Sequence, residues 1–188
     1  MFAMIAALLL AAPVQLSLAE GSKLFIEGDS SLHAWKCEAA GFDAAGLATS
    51  PAAAAASLTA LELGVPVKQI RCGNDTMEGK LRDALKADKF ARIDYTFTSV
   101  APEPGSGKLK VTGKLSIGGV EKTVTTVLAV AAAPANRWTA IGELPLKMSD
   151  FGIDPPTAML GMLKTHDAIT IKFDLKFLAK LPQGSATN

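Results

Sequence analysis

Tyrosine occurs once, tryptophan twice, histidine twice and cysteine twice in this chain of 188 residues, and each scarcity closes off some chemistry. A structural zinc site wants several sulfur or nitrogen ligands at short spacings, and no Cys-x-x-Cys pair is present. The Gly-x-Ser-x-Gly elbow of a serine hydrolase is missing. Asp150-Phe151-Gly152 stands without the Gly-rich loop or His-Arg-Asp of a kinase, so the triplet carries no phosphoryl-transfer chemistry. It reads instead as a plug or turn at a barrel end. Charge of one sign is lacking too. The 19 Lys and Arg are interspersed among 18 Asp and Glu, for a net +1, which leaves no basic stripe for a nucleic acid. Asn74-Asp75-Thr76 matches a glycosylation sequon but falls at an expected helix start and is set aside.

The segment 1–19, MFAMIAALLLAAPVQLSLA, has no charge at all. It reads as the apolar stretch of a secretory leader followed by a small-x-small site, Ser17-Leu18-Ala19, with cleavage expected before Glu20. No Lys or Arg precedes the apolar run. Pro13, Gln15 and Ser17 make its last third a poor membrane helix, which favours export over an anchor. The expected destination is the periplasm or the exterior. In an oxidising compartment a lone pair of cysteines, Cys37 and Cys72, is most simply one disulfide. By closing a loop of about 35 residues it would contribute ~2–4 kcal/mol.

Beyond residue 20 the apolar pattern has a period of two. Ile93, Tyr95 and Phe97 alternate with Asp94, Thr96 and Thr98. Leu109, Val111, Leu115 and Ile117 alternate with lysines, Thr112 and Ser116. Gly118-Gly119 signals a hairpin into KTVTTVLAV, which carries Leu128. Trp138, Ala140, Gly142, Leu144, Leu146 and Met148 share a face. So do Ile169, Ile171, Phe173, Leu175 and Phe177. Three earlier strands are less sharp: KLFIEGDSSLHAWKCEA, read as one long strand with a bend at Gly28, then AAGFDAAGLAT and SLTALELGVPVKQIRC. Two stretches break the period. Asn74–Ala87 spaces Met77, Leu81 and Leu85 as an amphipathic helix with a capping box at Asp75 and Glu78. DPPTAMLGMLKTHD reads as a loop with a short helix carrying Met159, Leu160, Met162 and Leu163. The tail 182–188 reads as disordered. About eight one-sided strands joined by short turns make an antiparallel barrel or sandwich, with an interior either packed or holding one ligand.

Four stretches in order resemble the YceI-like family: EGDSSLHAWKCEAAGF, then VPVKQIRCGNDTMEGKLRDALKADKFARIDYTFTSV, then VTGKLSIGGVEKTVT, then KMSDFGIDPPTAMLGMLKTHDAITIKFDLKF. The chain departs from the pattern at Ala91-Arg92, where a proline is usual, and at His166, where a small residue is usual. The resemblance implies an extended, eight-stranded, lipocalin-like antiparallel barrel over residues 20–181, with the helix near one end. It further implies an apolar tunnel for an isoprenoid chain, such as a quinone tail or a polyprenyl carrier.

On that reading the expected tunnel wall comprises His33, Trp35, Ile93, Tyr95, Phe97 and Leu109, then Val111, Leu128, Trp138 and Leu144, and finally Ile169, Ile171 and Phe173. His33, Trp35 and Cys37 share an inward face, with Cys37 bonded to Cys72, Trp35 against the ligand chain, and His33 toward a head group. No catalytic residue, cofactor or resident metal is expected. A metal reading would need His33 and His166 to meet across paired first and last strands, completed by Asp29 or Asp167. Three functions stay open: a lipid carrier, an enzyme acting on such a lipid, and a packed structural barrel. The sequence leaves monomer and homodimer undecided.

Overall fold

The computed structural model describes residues 13–50, 55–158 and 162–181. The chain is almost entirely strand. The first three walls of the barrel are each made of two pieces. β1 (Val14–Leu18) and β2 (Lys23–Ser30) form the first wall, β3 (Trp35–Ala39) and β4 (Asp43–Ala48) the second, β5 (Leu58–Pro66) and β6 (Ile70–Arg71) the third. Five unbroken stretches follow: β7 (Arg92–Pro102), β8 (Leu109–Ile117), β9 (Val120–Ala133), β10 (Arg137–Lys147) and β12 (Leu163–Lys180), the last flanked by the two-residue β11 (Thr157–Ala158). Each wall pairs antiparallel with the next, and β12 pairs with both β2 and β1, so eight walls close into a barrel.

The breaks have local causes. Gly21 (φ 79°) turns the first wall, and the Ser22 hydroxyl donates to the Ala19 carbonyl at 2.8 Å and accepts from Lys176 N at 2.9 Å. Pro66, which has no N–H to give a ladder, ends β5 and opens the 3₁₀ turn Val67–Gln69. The long first strand expected over KLFIEGDSSLHAWKCEA is instead the β2–β3 hairpin, in which Gly28 pairs with Trp35. Its turn is built by Ser30, whose Oγ accepts from Leu32 N and His33 N and donates to the His33 carbonyl at 2.8 Å. A short hydroxyl-bearing residue offers the backbone these local bonds in place of a ladder. On the outer face, Glu27 bridges Lys36 (3.2 Å) and Lys172 (2.7 Å), tying the hairpin to β12; these two ammonium groups hold its carboxyl below the usual range.

The leader expected to end at Ala19 overlaps this wall. Val14 and Leu16 are buried, and β1 is paired on one edge with Ala45–Ala48 and on the other with Phe177–Lys180. A cut before Glu20 would therefore remove a strand held on both sides. Residues 1–12 and the tail 182–188 lie outside the described residues. So do Met159 and Leu160 of the expected short helix; Met162 is in a turn and Leu163 opens β12, which begins five residues earlier than the clean alternation at Ala168.

The described residues contain one α-helix, α1 (Asp75–Ala84), shorter than the expected 74–87. Its cap is not the Asp75–Glu78 box. The Asn74 side chain accepts from Met77 N at 3.1 Å, and Glu78 reaches back to Cys72 N at 3.0 Å. The first satisfies a donor that a helix start leaves open, and the second ties Glu78 back to the segment that leads into the helix. Glu78 is buried, with Arg71 and Arg82 at 3.6 and 3.7 Å. The helix ends in a Schellman-type turn: Ala87 N donates to Arg82 O and Lys86 N to Asp83 O, with Lys86 in the left-handed region at φ 52°. The Cys37–Cys72 disulfide is formed, and Cys37 is 1% exposed. It pins β3 to the root of α1.

Candidate functional site

Alternation along the strands puts one face of every wall inside, and those faces do not meet at the centre. Two chambers result, of about 260 Å³ at the α1 end and about 170 Å³ beyond it. Ile26, Ile70, Ile93 and Ile171 line both and form a waist between them. Inward glycine contributes to the open space. A Cβ on Gly142 would come within 2.7 Å of the Phe173 ring, so the bare backbone lets that ring lie flat on the wall.

The outer chamber has α1 as its lid. Met77, Leu81, Ala84 and Leu85 face into it from the helix, and Met148, Phe151 and Ile153 from the 3₁₀ turn Met148–Phe151 and the residues after it. That turn is the Ser-Asp-Phe-Gly stretch. Phe151 is buried, Gly152 closes the turn at φ 64°, and Asp167 anchors it, accepting from Ser149 N at 2.8 Å and from Ser149 Oγ at 2.6 Å. These two bonds hold the Asp167 carboxyl below the ordinary carboxylate range. The rim of the mouth is polar: Ser30, His33, Lys80, Thr157, Lys164 and Thr165. Lys80 Nζ donates to the Thr157 carbonyl at 2.7 Å and straps the lid to β11.

The inner chamber is almost purely apolar. Leu16 and Phe177 reach it from the β1–β12 junction, Leu109, Val111 and Leu115 from β8, Leu128 from β9. Tyr95 also faces it, and burial pushes its phenol up to about 12, so the group is a neutral hydroxyl at any ordinary pH.

Twelve of the thirteen expected wall residues border this space. His33, Trp35 and Ile169 line the outer chamber. Tyr95, Leu109, Val111, Leu128, Trp138, Leu144 and Phe173 line the inner one. Ile93 and Ile171 stand at the waist. Phe97 is half-buried outside both linings, at a register shift between Phe97 and Ser99 that re-aims β7. His33 is not on a strand with Trp35 and Cys37 but in the β2–β3 turn. Its Nδ1–H donates to the Ala34 carbonyl at 2.8 Å. His166 borders neither chamber, and among the described residues no cluster of His, Cys, Asp and Glu is arranged to hold a metal ion. The sequence reading passed over Ile26 and Ile70. Alternation of Leu24 and Ile26 with Lys23, Phe25 and Glu27 carried the signal for the first. Ile70 sits in a two-residue strand after a 3₁₀ turn, where no period exists to read.

The YceI-like domain family model matches residues 30–177. No curated protein matches. Among solved structures, BcnA of Burkholderia cenocepacia is similar at 25% identity and TM-score 0.69, over 82% of this chain and 95% of that one. A polyisoprenoid binding domain from Saccharophagus degradans, described as implicated in plant cell wall breakdown, is 17% identical at TM-score 0.66, over 88% and 98%. The YCEI protein of Campylobacter jejuni is 21% identical at TM-score 0.60, over 78% and 85%.

Proposed function

Given that the chain belongs to the YceI-like domain family, we propose that its lumen holds the tail of a long-chain isoprenoid-type lipid, a quinone tail or a polyprenyl carrier, for storage or transport in the periplasm. The observation that carries this is the shape of the interior: two chambers joined at an isoleucine waist, apolar to the far end and polar at one mouth. A hydrocarbon tail has nothing to hydrogen-bond, so a wall with few polar atoms, the Tyr95 hydroxyl among them, suits it. Each buried CH₂ is worth ~0.8 kcal/mol, or about 4 per five-carbon unit. Four buried units, about 16 kcal/mol, then offset even the top of an association cost of roughly 4–15 kcal/mol. The similar Saccharophagus degradans domain bears the name polyisoprenoid binding, which supports the same class of ligand. The lining holds one histidine and no carboxylate, so no side chain there orients a base, and binding without turnover is the reading that fits.

Native mass spectrometry of protein purified from its own host, with lipid extraction, tests the proposal. The expected result is one isoprenoid lipid per barrel. Protein that arrives empty and fails to take up a polyprenyl quinone in vitro would leave a packed structural barrel. The same spectrum reads whether the barrel travels as a monomer or a homodimer.

A further inference from the structure

Two of the exposed large apolar side chains differ from the rest in where they stand. Leu32 is 66% exposed and Met162 73%, the two highest values among large hydrophobics of the described residues. Leu47, Val127, Ile141 and Leu178 are less exposed and lie on strands. Leu32 and Met162 are instead on turns, one at the tip of the β2–β3 hairpin and the other just before β12. Those turns are bonded to each other: Ser31 N donates to the Lys164 carbonyl at 2.9 Å, and Lys164 N donates to Ser31 Oγ at 3.1 Å. Both flank the mouth of the outer chamber, whose lining includes Leu32, Leu163 and Lys164. A single exposed leucine is ordinary, but an apolar pair on neighbouring turns at one mouth is a local feature. The same lining carries cations and no carboxylate. Lys80 and Lys164 are in it, and neither has an acidic side chain within ion-pair distance among the described residues. Asp29 accepts from Ser30 N at 2.8 Å, and Asp167 holds Ser149.

We propose that this rim is a docking surface for a lipid bilayer that carries anionic head groups. Leu32 and Met162 enter the interfacial layer as apolar anchors, and the ammonium groups beside them meet the negative surface. The inference rests on the tunnel reading above and adds how the tunnel is loaded. A hydrocarbon tail drawn through water forfeits the transfer free energy that the lumen supplies. A mouth seated on the bilayer lets the tail pass from one apolar phase to the other. Two projecting side chains without a flat apolar face fall far short of the roughly 800 Å² per partner that a stable protein interface buries. A bilayer asks only for anchors and charge.

Delipidated protein from its own host, co-sedimented with vesicles, tests this. One set is phosphatidylethanolamine with phosphatidylglycerol, the other phosphatidylcholine alone. Wild type should bind the anionic vesicles at least about tenfold more tightly than the neutral ones at low salt, and the preference should shrink toward physiological strength. Lys164→Gln should lower binding to the anionic set by about fivefold. Leu32→Ser/Met162→Ser should lower it by about tenfold or more at unchanged charge. Met162 lies outside both chamber linings, so Met162→Ser alone should bind farnesol, titrated without vesicles, as wild type does. It should also draw a polyprenyl quinone out of vesicles more slowly. Wild type that binds neither set, binds both equally, or is matched by the apolar double variant overturns the docking surface; farnesol binding, read apart, then leaves the tunnel standing. Vesicle binding that falls in the apolar variant, in a protein that takes up no farnesol, upholds the surface and removes the tunnel. A wild-type dimer in sedimentation velocity that Met162→Ser dissolves gives the rim to a second copy and overturns the assignment.

Discussion

Lys86 holds φ at 52°, a conformation that costs an ordinary L-residue about 1–2 kcal/mol and glycine almost nothing. Lys86→Gly should therefore stabilise the protein by about 0.5–1 kcal/mol, after the extra unfolded-state entropy of glycine is set against the relief. Urea melts of the two proteins would show it, and a lower midpoint for the glycine variant would mean that the lysine stem contributes packing there. Asp167 makes the opposite kind of statement. Its two bonds from Ser149 depress its pKa, so in the folded state it stays ionised below its ordinary 3.8. A depressed acid contributes stability that is complete above that value and lost as pH falls through the folded pKa. The melting temperature of wild type should accordingly fall more steeply below pH 4 than that of Asp167→Asn; parallel acid limbs would take Asp167 out of the account. Residue identity in the opening hairpin was only partly legible from sequence. Trp35 and Cys37 alternate as strand residues should, but the Ser30 hydroxyl draws the backbone into a turn, and His33 goes with the turn.

The helix is held at three points: the disulfide at Cys72, the Glu78 carboxylate beneath Cys72 N, and Lys80 on Thr157. Between them its apolar side rests over the outer chamber. Leu81→Asp would place a charge against that lining without a partner, and should destabilise by roughly 2 kcal/mol or more. A change under about 0.5 kcal/mol in chemical denaturation would put that face in solvent and end its role as lid. Reading the helix from a four-residue spacing worked because Met77, Leu81 and Leu85 all meet one surface. Reading its start did not, because Asn74 and Asp75 are both good caps and only the folded backbone, with Asn74 extended at φ −152°, decides between them. The strands divide the same way. β8, β10 and β12 alternate cleanly since one side faces the lumen and the other water. β6 is two residues long, and β1 lay under what resembled a leader, so neither offered a period.

At the scale of the whole barrel, two expectations follow from how it closes. Val14 and Leu16 are buried between β4 and β12, and each such side chain is worth ~1.5–3 kcal/mol. A chain beginning at Glu20 should melt roughly 10 °C below one beginning at Pro13. We propose that any leader is removed upstream of Val14; an exported protein whose intact mass begins at Glu20 would refute this. The second concerns the lumen. Val111→Trp should fill the inner chamber and abolish ligand uptake while circular dichroism keeps its β signature, at a stability cost of about 1–3 kcal/mol. Retained uptake would place the tail elsewhere. Closure also fixes an order of events in time. Ser22 meets Lys176 across 154 residues of chain, and β1 waits for Phe177–Lys180 to exist before its second edge has a partner. Walls two to seven can zip to their neighbours as they emerge, each a local hairpin, but the last seam cannot form until synthesis is nearly done. The strand made first is thus the last to gain its second edge, and until it does the sheet stays open along that seam.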